Sequence, residues 1–394
     1  MGDKGKHCIL CGNMLFEKPL VICENMPSEA QNLPMSDGLQ DEKAISYNVC
    51  QCSGCGLIQF DCEPVSYYLD STRAGERCEQ LIELRQMQYS HLIETFHLHG
   101  KKILEIGAGR GGFLRTLKEM TEYGIHEYGI EYNPDFVKTA REDEGVNVIQ
   151  GNPEDECLIL EEGPFDAFTS FAYPARLMHP NAMMRLAYNN LSENGIGFIQ
   201  VASLEHLLRK GGFYDITRDH MAYYDKRTLR ILCEVNGFDV LEEGEAIDTY
   251  IYAIVRKRLP TDLSMLNNDA DRLGREFKNY IKQCNDNGKK IAVWCAGHYA
   301  FTVLSATRTG RDEICYIVDN APFKQGRYSP ASHIPIVAPD HFIEEPVDEI
   351  IILGPIYIDE IVKEIRKKCS MDVEIAAMDR NGIRKVNVTA GGLV

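Results

Sequence analysis

Residues 105–113 read EIGAGRGGF, with Gly107, Gly109 and Gly111 at every second position. Ahead of them, Lys101-Lys102-Ile103-Leu104 reads as the start of a buried strand. Behind them, Phe113-Leu114-Arg115-Thr116-Leu117 has helical apolar spacing. Three glycines so placed let the backbone turn tightly and come close to a ligand without β-carbon clashes. A strand that passes through such a turn into a helix opens a unit of alternating strands and helices. From Lys101 to Lys257 that alternation continues, which predicts a parallel sheet covered on both faces.

The 394 residues should hold two or three domains. Residues 1–65 are rich in Cys, Pro, Asn and Gly and show little helical period, so they form one small lobe. Residues 66–258 hold a helical lead-in and the alternating domain. Between Ser66 and Leu98 a mostly apolar face is built from Leu81, Leu84, Met87, Tyr89, His91 and Leu92. Residues 259–287 are polar and amphipathic and predict a helix linking two domains. Residues 288–394 repeat the alternation on a smaller scale, through IAVWCAGHYA, EICYIVDN, DEIIILG and VEIAAM.

The formal charge of −17 argues against a broad nucleic-acid footprint, which needs a basic face. A local basic pocket for a phosphorylated small molecule is compatible with it. The start, MGDKGKHCIL, has no apolar core of signal-peptide length, and no apolar run is long enough to span a bilayer. A cytoplasmic protein without membrane partners is the expectation. The sequence sets no oligomeric state; a monomer accords with it.

Fourteen cysteines without a secretion signal point to metal ligands and free thiols rather than disulfides. CILCG at 8–12 and CSGCG at 52–56 are two Cys-x-x-Cys-Gly turns. In each, both thiolates can face one ion, and the glycine permits a turn that aims N–H groups at sulfur. Cys8, Cys11, Cys52 and Cys55 thus make the closed tetrahedral set of a structural zinc site. Cys50 stands close enough to replace one of them.

A dinucleotide turn would read G-x-G-x-x-G. An acidic residue followed by G-x-G-x-G, as in Glu105 with Gly107, Gly109 and Gly111, resembles instead the class I S-adenosylmethionine (SAM) methyltransferases. That resemblance implies a pocket whose carboxylates and open carbonyls suit the cofactor's ammonium. Tyr128-Gly129-Ile130-Glu131 ends in an acid where a ribose-binding carboxylate is expected, and its two oxygens can take both hydroxyls. Asn152, after the strand Val148-Ile149-Gln150, falls where an adenine contact is expected. Phe171 ends the fourth strand, Phe165–Phe171, on the substrate side. The plain alternative is that Glu105 and Glu131 only cap helices of a generic doubly wound sheet.

The layout as a whole resembles the sugar C-methyltransferases of nucleotide-sugar and polysaccharide pathways. Beyond the cysteine turns and the glycine turn, it rests on GGFYDITRDHMAYYDKRTLRILCEVNGF at 211–238, VWCAGHYA at 293–300 and VDNAPFKQGRYSPASHIPI at 318–336. It implies an α/β protein: a class I SAM methyltransferase sheet, an N-terminal zinc lobe and a C-terminal Rossmann-like α/β domain. It implies a nucleotide-linked 4-keto sugar as small-molecule substrate. A base removes the proton beside the ketone, and the enolate carbon takes the methyl group from SAM. His220 matches the family's acid–histidine pair and is the implied base. Asp219 would orient it or contact the substrate, with Tyr214 and Tyr224 as nearby hydroxyl donors. For the substrate, Tyr67, Tyr68, Arg73 and Arg85 lie between lobe and sheet, and Lys324, Gln325, Arg327, Tyr328 and His333 in the C-terminal domain suit phosphate and sugar.

One stretch departs from the family. Ala175-Arg176 stand where a Glu-His pair is usual. Arg176 would bind a phosphate or stabilise an enolate oxygen instead. The departure leaves open a sugar O- or N-methyltransferase and a catalytically impaired binding protein.

Overall fold

The computed structural model describes residues 7–31, 33–40, 42–69, 78–368 and 373–386, and the backbone of 388–389 and 392–393. The chain divides into two compact units, Met1–Leu259 and Pro260–Val394.

The first unit holds two sheets. Strands β1 (Val21–Met26), β2 (Ile45–Gln51) and β3 (Ile58–Phe60) form an antiparallel ribbon, which a late strand, β9 (Ala222–Tyr223), completes on the edge of β3. Between β3 and β9 the chain builds the larger sheet. Its elements are α1 (Glu79–Thr95), β4 (Lys102–Ile106), α2 (Gly112–Glu119), β5 (His126–Glu131), α3 (Pro134–Glu142), β6 (Val148–Gln150), β7 (Phe165–Phe171), α4 (Pro180–Asn190), β8 (Leu191–Ala202) and α5 (Leu204–Lys210). After β9 come α6 (Lys226–Val235), β10 (Phe238–Ala246) and β11 (Tyr250–Lys257).

The strand order is β10-β11-β8-β7-β4-β5-β6, with β4 to β8 parallel and the last two strands antiparallel. The central strands are buried along nearly their whole length, so KILEI and FDAFTSF read as almost unbroken apolar runs. Strand order reverses between β4 and β7, and in such sheets the carboxyl ends beside the reversal form the ligand crevice.

Local chemistry sets the helix starts. Pro134 begins α3, and the Asn133 side chain accepts from the N–H groups of Asp135 and Phe136. Asp225 and Thr228 form a reciprocal capping box on α6. Gly129 lets α2 lie close on β5: a β-carbon there would sit 2.6 Å from both Ala108 Cβ and Leu114 Cδ1.

The lead-in helix is shorter than the apolar spacing from 66 to 98 suggests. Residues 66–69 form a turn, 70–77 lie outside the described residues, and α1 begins at Glu79. Its buried face is Leu84, Arg85, Gln88, Tyr89, Leu92 and Ile93, while Met87 and His91 face solvent.

In the second unit α7 (Ser264–Asp286), β12 (Ile291–Trp294), α8 (His298–Ala306), β13 (Tyr316–Val318), β14 (Ile336–Val337), α9 (His341–Glu344), β15 (Glu349–Ile352), α10 (Ile358–Lys368), β16 (Glu374–Asp379) and β17 (Gly382–Lys385) follow in order. The sheet order is β14-β13-β12-β15-β16-β17, parallel except for β17. The helix that the sequence assigns to a link is built into this unit. Phe277, Ile281 and Cys284 of α7 are buried against Ile291, Val293 and Ile351, because one face of it is apolar at helical spacing. Among the described residues no helix is long and apolar enough to cross a membrane.

Candidate active site

Both cysteine turns close on one point. Cys8, Cys11, Cys52 and Cys55 present sulfurs that all lie within 4.8 Å of one another. Cys8 and Cys55 are 3.5 Å apart, and Cys11 and Cys52 are 3.4 Å apart. The Leu10 N–H points at Cys8 Sγ (3.4 Å), and the N–H groups of Gly54 and Cys55 at Cys52 Sγ (3.3 and 3.4 Å). Gly12 and Gly56 take φ of 75° and 85°, the left-handed turns that the pattern requires. Four thiols converging in this way fit a tetrahedral ion of zinc type. Cys50 stays outside the cluster, its thiol pushed up to about 11 by burial and then by Asp61.

At the carboxyl ends of β4 and β5, Gly107, Gly109 and Gly111 have φ of 75°, 58° and 85°. A β-carbon on Gly107 would lie 2.6 Å from the Tyr173 ring, and one on Gly111 2.8 Å from Val146 Cγ2. Glu105 is fully buried on β4. Glu131, nearly buried at the end of β5, accepts from the Gly109 N–H at 2.8 Å and the Asn133 N–H at 3.0 Å. A glycine cradle with a buried acid beside it fits a cofactor that has an amino-acid end and a ribose. Asn152 is exposed, and its Oδ1 accepts from the Glu154 N–H at 2.9 Å.

Beside this cradle lies a cavity of about 510 Å³. Arg85, Phe113, Phe171, Gln200, Arg176, His220, Tyr223 and Tyr214 are among the residues that line it. Desolvation, and then the Arg176 guanidinium, hold His220 down to about 4. The imidazole is therefore neutral at pH 7 and carries an available lone pair. Its ring meets that of Tyr223 edge to face, with centroids 6.0 Å apart. The Tyr223 hydroxyl accepts from the Thr217 N–H and donates to the Asp215 carbonyl, both at 3.0 Å, so it pins the loop that carries His220. From the other side, Arg218 donates to the carbonyls of Ser28, Glu63 and Pro64 and ties the loop to the N-terminal lobe.

Several expected residues lie elsewhere. Extended backbone at the end of β9 turns Tyr223 and the next residue, Tyr224, to opposite faces. Tyr223 reaches the cavity, whereas Tyr224 is fully buried in the core that holds Cys8 and Cys55. Burial, then the charges of Cys8, Cys233 and Cys55, push the Tyr224 phenol up. Asp219 does not line the cavity; it faces Tyr67. The Tyr67 hydroxyl in turn accepts from the N–H groups of Ala30 (2.7 Å) and Gln31 (2.9 Å). Tyr68 donates to Glu154 Oε2 at 3.0 Å. Tyr67 and Tyr68 thus fasten loops rather than face the cavity. Tyr214 stands exposed at its rim. Arg73 lies outside the described residues.

In the second unit Arg327 and Tyr328 line a hollow of about 370 Å³ with Pro335, Asp340 and His341. Lys324 is paired with Asp319 at 2.9 Å. His333 is exposed in a left-handed turn with φ of 52° and is not part of that hollow. Sequence reasoning missed Tyr223, Gln88, Gln200 and Arg218. Their signal is polar residues at positions where the period calls for apolar ones, as at Gln88 on α1 and Gln200 on β8.

The methyltransferase-domain family model matches residues 81–243, and the model described as the C-methyltransferase C-terminal domain matches 260–376. The C-methyltransferase NovU of Streptomyces niveus is 25% identical over 197 residues, 44% of this chain and 47% of that protein. The match thus spans about half the length of this curated relative. Among solved structures, a protein of Pyrococcus horikoshii OT3 covers 49% of this chain and 95% of its own, at 16% identity and a TM-score of 0.39. A possible histamine N-methyltransferase of Thermotoga maritima covers 47% and 98%, at 21% identity and a TM-score of 0.36. At those scores the two likenesses carry no weight.

The first unit has the class I SAM-methyltransferase fold, with its glycine cradle at the carboxyl ends of the sheet. Along the chain, a methyltransferase domain is thus followed by a segment that matches the C-methyltransferase C-terminal domain, the features of a SAM-dependent methyltransferase.

Proposed function

We propose that this protein methylates a carbon next to the ketone of a nucleotide-linked keto sugar. The observation that carries the reading is His220, a neutral imidazole that shares its cavity with the Arg176 guanidinium beside a glycine cradle. The cradle, with Glu131 for the ribose, would hold SAM, which would give its methyl group to the enolate carbon as the sulfur–methyl bond breaks and S-adenosylhomocysteine leaves. The unprotonated nitrogen of His220 takes the proton beside the ketone. The negative charge that develops on the ketone oxygen is met by Arg176 and by the imidazolium just formed. Water is kept from the enolate by the apolar wall of Phe113 and Phe171. Tyr223 and Arg218 keep the loop, and so the base, in place. In the second unit, taken by itself, Arg327 and Tyr328 line a hollow whose groups suit a phosphate and a hydroxyl. A zinc ion in the four-cysteine cluster has a structural part, since its thiolate set is closed.

Ala175, buried where a glutamate is usual in the resembling enzymes, favours a second reading, methyl transfer to a sugar oxygen or nitrogen. The test is incubation with SAM and a panel of keto and non-keto nucleotide sugars. Mass spectrometry reads methyl gain and NMR locates the methyl. A C-methyl product that is lost in His220→Asn is expected. An O- or N-methyl product would move the protein to the second reading.

A further inference from the structure

The cavity is cationic in an acidic chain. The formal charge is −17, yet among the described residues Asp215 is the one carboxylate that lines the cavity, against Arg85, Arg176 and Lys210. Charge gathered there against the trend of the chain points to an anionic ligand. Part of it comes from α5. His206 and Lys210 stand one turn apart on that helix and so share a face. Both line the cavity, whereas Leu208 and Arg209 do not. Neither the His206 nor the Lys210 side chain has a hydrogen bond or an ion pair among the described residues.

Burial separates these groups from the base. His220 is largely desolvated, while Lys210 and Tyr214 are exposed. The Tyr214 ring is 92% exposed and lines the cavity rim. Phe213 meets it edge to face, with centroids 5.9 Å apart, and so backs the ring. A basic pair beside a ring held up in this way fits a group that joins phosphate to a planar base. Two sources share the phosphate, a sugar phosphate and a nucleoside diphosphate. The ring favours the second, because only a nucleobase has a flat face to lay on it. Binding energy gathered at that far end of the acceptor serves to hold its sugar against the base inside. Resting on the acceptor reading above, we infer that α5 and the turn after it clasp the acceptor's nucleoside diphosphate. His206 and Lys210 take the phosphates, and Tyr214, backed by Phe213, takes the nucleobase.

The test is isothermal titration calorimetry of the full chain with a panel of nucleoside diphosphates and with inorganic pyrophosphate. Lys210→Gln should weaken the tightest nucleoside diphosphate and pyrophosphate alike, by about 3- to 10-fold. Tyr214→Ala should weaken that nucleoside diphosphate about 5- to 10-fold and leave pyrophosphate within about twofold. Tyr214→Phe keeps the ring and should restore the affinity. Arg209→Gln is the control: it makes the same change of charge on α5 at a side chain that does not line the cavity, and neither ligand should respond. Lys210 and Tyr214 are exposed, so their variants should fold. Unchanged affinity in Lys210→Gln and Tyr214→Ala, or an equal loss in Arg209→Gln, overturns the inference. A loss in Lys210→Gln with none in Tyr214→Ala overturns it in favour of the sugar phosphate. Wild type that binds no nucleoside diphosphate sinks the nucleotide-linked acceptor itself, a different failure, and the clasp with it.

Discussion

Arg176 faces His220 across one cavity, and the guanidinium is the second cause, after burial, of the low basicity of the imidazole. The two causes make different demands. Removing the arginine should raise the imidazole only part of the way from about 4 toward its ordinary value of 6.5. An NMR titration of Arg176→Gln should show that partial rise. A full return to 6.5 would mean that desolvation is not the larger cause.

The same shift gives stability a pH dependence. A histidine whose folded pKa is depressed stabilises the fold above the unfolded pKa, because the unfolded chain binds the proton first. Stability should therefore fall as pH drops from about 6.5 to about 4. Thermal unfolding over that window should show a weaker pH slope in His220→Asn. Equal slopes would remove His220 as the titrating group.

Purified protein should carry one zinc ion. Cys8→Ser and Cys55→Ser should lose it with a marked fall in melting temperature, since binding free energy in such sites is folding free energy. Cys50→Ser should retain it, because Cys50 lies outside the four-sulfur cluster. Metal analysis by mass spectrometry reads all three.

Gly107→Ala meets two obstacles, a φ of 75° and a ring atom of Tyr173 only 2.6 Å from the new β-carbon. The backbone part alone costs about 1–3 kcal/mol. Melting temperature and S-adenosylhomocysteine affinity should both fall. The double variant with Tyr173→Ala should lose less stability than the two single variants summed, because the second change removes the contact and leaves the dihedral.

Adjacent tyrosines should part company. Tyr223→Phe frees Thr217 and Asp215, so kcat should drop about tenfold through a looser base, of the order expected for lost positioning. Tyr224→Phe should leave kcat unchanged, and melting temperature should hold or rise, since the phenol is buried with no hydrogen-bond partner among the described residues.

The parts of this fold that are local in sequence were legible. The glycine spacing, the acid at the end of the next strand and the paired cysteine turns each encode their structure within a few residues. The strands Val148–Gln150 and Phe165–Phe171 could be read in the same way. Long-range assembly was not legible. Asp219 immediately precedes His220 in sequence, yet it turns to Tyr67 because the N-terminal lobe comes up against that loop. Tyr224 reads like a site tyrosine until β9 pairs with β3 and turns it into the core. Arg85 and Gln88 break the apolar period of α1, and only the packed structure shows that the break faces a cavity. The helix at 264–286 reads as polar overall, and its three buried positions find their core only across the second unit's sheet.

The pairing of β9 with β3 also bears on how the chain is made. The antiparallel sheet of the N-terminal lobe draws its last strand from beyond the entire run of parallel strands. On the ribosome, the cysteine turns emerge early, but the edge of β3 stays open until Ala222 and Tyr223 have been synthesised. An open edge is a template for wrong pairing, and contacts so distant in sequence form slowly. The lobe is thus a structure begun first and finished late, and a nascent chain halted before β9 should expose an edge that a chaperone must shield.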